Sequence, residues 1–295
     1  MGEDVREDKT MAVTRSKKVE VRGSTLDVRT EMYNSAYEVA EDCKNRAVRH
    51  KIYDMSKVNV HKSWHGVGSY EEALDLMRNG YQPTVEELRG ELNVAPKDGA
   101  RISFKNSIEG FAPVVPLALK GVPNCMINMR MKPIKCKVLD VYYDMTANCD
   151  KEPEEFIKAG QALLGTVIEL EKQGYRFNLY ALQSYGTSWD KSYDLLCVKI
   201  KSSDKPLDLK RISFPLTHPS FFRVIGFDWQ GKSPITRNIG SGRGRAMGYE
   251  YDSEDIRKII RALYGDNACY ISCSKFIGSG YDTKNLKEQF TNDKV

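Results

Sequence analysis

Lys137-Val138-Leu139-Asp140-Val141-Tyr142-Tyr143 is a short run of β-branched and aromatic residues, the composition of a strand covered on both faces. Just downstream, Pro153-Glu154-Glu155 opens a helix in which Phe156, Ala159, Leu163, Leu164, Val167, Ile168 and Leu170 form a broad apolar stripe. Gly160 and Gly165 would let that helix approach the sheet closely, and Gly174 closes it. Arg176 to Leu182 then reads as a second strand. A strand, helix and strand of this length make a parallel crossover, expected to be right-handed. The link from Gln183 to Ser192 is too short for another crossover helix, so a third strand, Tyr193 to Ile200, should run antiparallel to the second. Further on, Pro219 to Phe227 reads as helical. Ser253 to Tyr264 reads as a helix capped by Ser253, and Ala268 to Cys273 as another strand.

Upstream the signals are different. Met1 to about Gly23 is rich in charge without a sustained apolar period and reads as a mobile arm. Between Thr30 and Arg49, Met32, Ala36, Val39, Ala40, Cys43 and Ala47 recur near helical spacing, predicting an amphipathic helix. After Trp64-His65-Gly66, Ser69 and Glu72 form a capping box, and Pro83-Thr84-Val85-Glu86-Glu87-Leu88 starts a further helix. Gly110 to Pro123 is apolar but broken by prolines, which suits a buried, extended connector. The expected organisation is therefore a flexible arm over 1–23, a helical region with Pro-rich connector over 24–134, an α/β domain over 135–275 and a polar tail over 276–295.

Composition sets the limits. With 41% hydrophobic and 10% aromatic residues, the 295-residue chain has ample material for a packed core. Its net charge of +5 is the small difference between 45 basic and 40 acidic residues, so any attraction to nucleic acid has to be local. The start lacks the apolar core of a signal peptide, and no segment approaches the length of a membrane span. Seven scattered cysteines suit a reducing compartment, so a cytoplasmic protein without membrane partners is expected. Cys269 and Cys273 share a strand face with Ile271 and read as buried residues rather than zinc ligands.

The order of a buried strand, a helix, and a strand turning back into an antiparallel neighbour resembles von Willebrand factor A-like domains over residues 135–275. In that family the first strand ends in Asp-x-Ser-x-Ser. Here Asp144-Met145-Thr146-Ala147-Asn148 keeps the acid and one hydroxyl and puts asparagine in place of the second serine. The resemblance implies a mostly parallel, Rossmann-like sheet flanked by helices, with an N-terminal helical extension. It also implies a divalent ion, Mg2+ or Mn2+, held by Asp144, Thr146 and Asn148. The family adds a threonine and an acid from later loops, for which Thr217 and Asp190 or Asp228 are the candidates. A carboxylate, a hydroxyl and an amide oxygen at alternate loop positions suit a hard cation. The same residue types also favour turns and helix starts with no ion. The Trp64-His65-Gly66 segment and the Gly110–Pro123 connector resemble a group of uncharacterised bacteriophage proteins, which implies a viral origin and a host-cytoplasm setting.

Arg237-Asn238-Ile239-Gly240-Ser241-Gly242-Arg243-Gly244-Arg245 combines glycines that permit close backbone approach with arginines suited to phosphate. It lacks the Gly-Lys-Ser/Thr of a nucleotide-binding loop and equally reads as a flexible surface loop. His61 and His65 are four apart, but no His-Glu-x-x-His helix is present, and both read as surface or capping groups, with Trp64 as a core anchor. His218 reads as a helix cap. No Ser, His and Asp set and no paired carboxylates assemble from spacing, which weighs against an enzyme. The expected function is a non-catalytic protein-interaction or assembly protein with a metal-assisted binding edge. The alternative is a nucleic-acid-binding protein using Arg237, Arg243 and Arg245.

Overall fold

The computed structural model describes residues 12–49, 55, 57, 59–92, 100–133, 136–187, 191–236 and 247–292. It opens on a hairpin. β1 (Val13–Val21) and β2 (Ser24–Tyr33) pair antiparallel across Arg22 and Gly23, whose φ angles of 50° and 72° are the left-handed pair a two-residue hairpin turn requires. Val19, Val21, Leu26 and Val28 point into a core, while Arg15, Lys17, Lys18 and Glu20 stay in water. Residues 13–23 of the mobile arm expected over 1–23 are thus strand and turn, and residues 1–11 lie outside the described residues. The hairpin also moves the first helix to α1 (Ala36–Asn45), where Ser35 Oγ accepts the Glu38 N–H. The charged outward face of the hairpin hid its period of two.

Three helices follow: α2 (Lys62–His65), α3 (Tyr70–Asn79) and α4 (Gln82–Leu92). Ser69 caps α3 through the Glu72 N–H. β3 (Ala100–Ser107), β4 (Ala112–Pro113), α5 (Val115–Leu119) and β5 (Met126–Pro133) come next. Their strands form a separate antiparallel sheet in the order β3-β5-β4. The stretch expected as a buried connector is thus a small sheet and a helical turn, and its described residues are exposed or half-buried.

The remaining chain runs β6 (Val138–Asp144), α6 (Pro153–Lys172), β7 (Arg176–Thr187), β8 (Ser192–Lys201) and α7 (Leu209–Thr217). A π-helical turn (Phe221–Gly226) continues directly into α8 (Phe227–Lys232), followed by α9 (Met247–Glu250), α10 (Ser253–Tyr264), β9 (Ala268–Ser272), α11 (Cys273–Gly278) and α12 (Thr283–Asn292). β6 and β7 are parallel and β7 and β8 antiparallel, as their links dictate. The full sheet, however, is six-stranded in the order β1-β2-β8-β7-β6-β9. β2 joins β8 in parallel, β9 joins β6 in parallel, and β1 lies antiparallel at the edge. It is a curled, mixed sheet and not the mostly parallel, Rossmann-like sheet of a von Willebrand A-like domain. The cause is the hairpin at the start of the chain, which supplies two strands that sequence patterning placed outside the domain.

Each face of the sheet carries a core. Val141 and Tyr143 of β6 and Leu196, Val198 and Ile200 of β8 point toward α6, α7 and the N-terminal helices. Tyr142 and Leu195 point the other way, against Ile256, Ile259 and Ile260 of α10. α6 buries Phe156, Leu163, Leu164 and Val167 completely. Gly160 permits a close crossing, though its neighbour is α7 rather than the sheet: a Cβ there would collide with the Leu216 carbonyl and sit 2.6 Å from Thr217 Cα. Within the polar tail expected over 276–295, α12 packs with Leu286 and Phe290 buried, and residues 293–295 lie outside the described residues. Among the described residues, no helix is long and apolar enough to cross a membrane. All seven cysteines are free thiols.

Candidate functional site

Asp144 ends β6 with its carboxylate wholly buried. Its Oδ1 accepts the Thr146 N–H at 2.9 Å, and its Oδ2 accepts the hydroxyls of Ser184 at 2.8 Å and Tyr270 at 2.7 Å. The Ser184 N–H donates to Thr146 Oγ1 at 2.8 Å, and the Met247 N–H to Ser184 Oγ at 3.1 Å. One carboxylate therefore ties together β6, β7, β9 and the start of α9. Burial pushes its pKa up, and the three donors pull back against that rise without cancelling it. Those donors aim hydrogens at the lone pairs a cation would need, so Mg2+ or Mn2+ here would have to displace them. Among the described residues, no group of three or more His, Cys, Asp or Glu stands together to hold a metal.

The loop after Asp144 is held by a buried arginine. Arg223, on the π-helical turn, donates Nη1 to the Trp64 carbonyl and Nη2 to the carbonyls of Lys151 at 2.6 Å and Asn148 at 3.4 Å. Its guanidinium lies 4.3 Å from the Trp64 ring and 4.7 Å from that of Phe156. Burial pulls it down to about 10. Trp64 completes the node by donating Nε1 to the Cys149 carbonyl at 2.9 Å. Asn148 thus enters through its backbone, fixed to a loop that Arg223 clamps. Trp64 is the anchor expected, and His65, expected as a surface or capping group, is buried with its Nδ1 accepting the His61 N–H at 3.0 Å at the start of α2.

Thr217 belongs to a different contact. Its hydroxyl donates to the Ser213 carbonyl at 2.7 Å and lies 3.4 Å from that of Thr84, where α7 meets α4. Asp228, one candidate acid, pairs with Lys232 at 2.9 Å and accepts the Tyr70 hydroxyl at 3.1 Å. The structure thus brings Asp144 and Thr146 together and gives Thr217 and Asp228 other partners. Asp190, Arg237, Arg243 and Arg245 lie outside the described residues. His218 is buried and accepts the Ser220 N–H through Nδ1 at 3.3 Å, a capping contact.

The surface that sequence reading missed is the small sheet. Phe104, Ile108, Phe111, Val115, Leu119 and Met129 are all exposed, Leu119 to 83%. Phe104 pairs with Met129 across β3 and β5, and alternation puts Lys105 on the opposite face. The Phe104 and Phe111 rings meet edge-on at 6.3 Å. Among the residues whose burial is described, neither core contains one of this stretch. The signal in the sequence was the alternation from Ile102 through Phe104, obscured by the prolines that follow.

The family described as a domain of unknown function, DUF7192, matches residues 12–290. No curated protein and no solved structure matches the chain. This match spans both sheets, from the first hairpin to the last helix, and replaces the resemblances to von Willebrand A-like domains and to bacteriophage proteins.

Proposed function

We propose that this chain, which belongs to the DUF7192 family, is a non-catalytic protein-interaction or assembly protein whose partner surface is the three-stranded sheet β3-β5-β4. The observation that carries this reading is the apolar set exposed on that sheet, of whose described side chains none belongs to either core. Soluble monomers seldom expose contiguous apolar patches, and small isolated sheets are marginal until a face is covered. A protein partner supplies that cover and gains from the area it removes from water, at about 25 cal/mol per Å2. The outer edge of β3 also leaves backbone groups for an added strand.

The test compares wild type with Phe104→Ser/Phe111→Ser/Leu119→Ser in the full chain. Because these side chains contribute to neither core, the variant should keep the thermal midpoint of the body while losing self-association in sedimentation velocity or capture of its protein partner. Unchanged association would overturn the reading. A second reading, nucleic-acid binding, draws support from charge: residues 100–133 hold Arg101, Lys105, Lys120, Arg130 and Lys132 against Glu109 alone, beside two aromatics suited to stacking. It requires affinity for single-stranded oligonucleotides that falls steeply with salt.

A further inference from the structure

β9 ends the six-stranded sheet on one side, and its pairing decides which of its backbone groups face outward. The Arg176 N–H donates to the Lys137 carbonyl at 2.9 Å and the Met145 N–H to the Leu182 carbonyl at 2.8 Å. The odd-numbered residues of β6 therefore bond to β7, and the even-numbered Asp140, Tyr142 and Asp144 bond to β9. On β9 those bonds fall on Cys269 and Ile271, so the backbone groups of Ala268 and Tyr270 point away from the sheet. The Ala268 N–H confirms the direction by donating back to the Gly265 carbonyl at 3.1 Å. Among the described residues, nothing bonds to the Ala268 carbonyl or to the N–H and carbonyl of Tyr270.

These groups do not simply face open water. β9 lies along a cavity of about 330 Å3 with α10 on one side and α11 and α12 on the other. Ala268 is 4% exposed, whereas Arg257, Lys275, Asn285 and Gln289 around the cavity are exposed. Recessed backbone groups are nearly always paired, and an open strand edge is the usual template for another chain. The spacing of acceptor, donor and acceptor along Ala268 and Tyr270 is complementary to a second extended backbone, and the polar rim suits a segment held by hydrogen bonds. Tyr270 is also fixed from behind, since its hydroxyl donates to Asp144 at 2.7 Å. We propose that this groove receives an extended peptide segment of a second protein, which adds to the sheet beyond β9 and pairs its main chain with Ala268 and Tyr270. The site is separate from the exposed small sheet and stands or falls independently of it.

The probe is a library of random linear peptides displayed on phage and selected against the full chain. An enriched peptide, made synthetically, should bind one to one. Its affinity should fall about fivefold or more when its central amides are N-methylated, which removes main-chain donors without touching the protein. Asn285→Trp, at an exposed position, should fill the groove and weaken binding similarly. Amide exchange followed by NMR supplies the site: the Tyr270 N–H should exchange faster than those of Cys269 and Ile271 in the free chain and become protected with peptide bound. A Tyr270 amide as slow as its neighbours in the free chain would overturn the proposal. So would failure to enrich any peptide, affinity that N-methylation and Asn285→Trp both leave within about twofold, or protection confined to residues 100–133.

Discussion

His218 makes the stability of the fold sensitive to acid in a calculable way. The ring is buried between Tyr81, at 4.8 Å, and Phe214, at 5.8 Å, and a Cβ on Gly66 would lie only 2.9 Å from its Cε1. Nδ1 sits 2.7 Å from the Ser220 hydroxyl and accepts the Ser220 N–H, so protonating it would set a hydrogen against a donor. Burial lowers this imidazole from 6.5 to about 4. Between those values the unfolded chain takes up a proton that the folded chain refuses. Stability is therefore fully present above about pH 6.5, falls as the pH drops through the window, and levels off below about pH 4. At about 1.4 kcal/mol per pH unit, the loss is about 3 kcal/mol. Urea unfolding of wild type and His218→Asn at half-unit steps from pH 7.5 to about 4 isolates this contribution, because the carboxylates titrate alike in both chains. The side-chain oxygen of asparagine replaces Nδ1 as acceptor, so the variant should fold with a flatter profile. Parallel profiles would refute the reasoning.

Gly160→Ala should destabilise by about 2–4 kcal/mol despite the better helix propensity of alanine, since the new methyl meets backbone of α7 rather than a movable side chain; a midpoint unchanged in thermal unfolding would show that the two helices part freely. Because the Asp144 carboxylate already accepts three protein donors, Mg2+, Mn2+ or chelator should leave the thermal midpoint of wild type where it is. A metal-dependent rise lost in Asp144→Asn would establish the cation site instead.

What the sequence displayed, and what it hid, follows from where each residue finds its partners. The run from β6 through β8 was legible because its strands are buried on both faces and joined by short or plainly helical links. β1 was not, because a strand at the edge of a sheet buries only alternate residues near its end and leaves six consecutive exposed positions. Asp144 was legible as a special residue, but its role was not. The groups that decide it, Ser184 and Tyr270, arrive from strands 40 and 126 positions away. The same holds for Arg223, whose loop partners near Lys151 lie 72 positions upstream. The small sheet escaped because sequence patterns report cores, and its described side chains are exposed or half-buried.

The parallel pairing of β2 with β8 joins Tyr33 to Val198. A chain made from its N-terminus thus presents the β2 edge long before its neighbour exists: at about 5–20 residues per second, on the order of 10–30 s separate the two strands. Through that interval the first hairpin has one strand's worth of unpaired backbone and an apolar face formed by Leu26 and Val28. Completion of the sheet therefore waits on a late segment, and so distant a closure is slow compared with the local helices around it. A chain stopped before Ser192 would lack the strand that welds its hairpin to the rest.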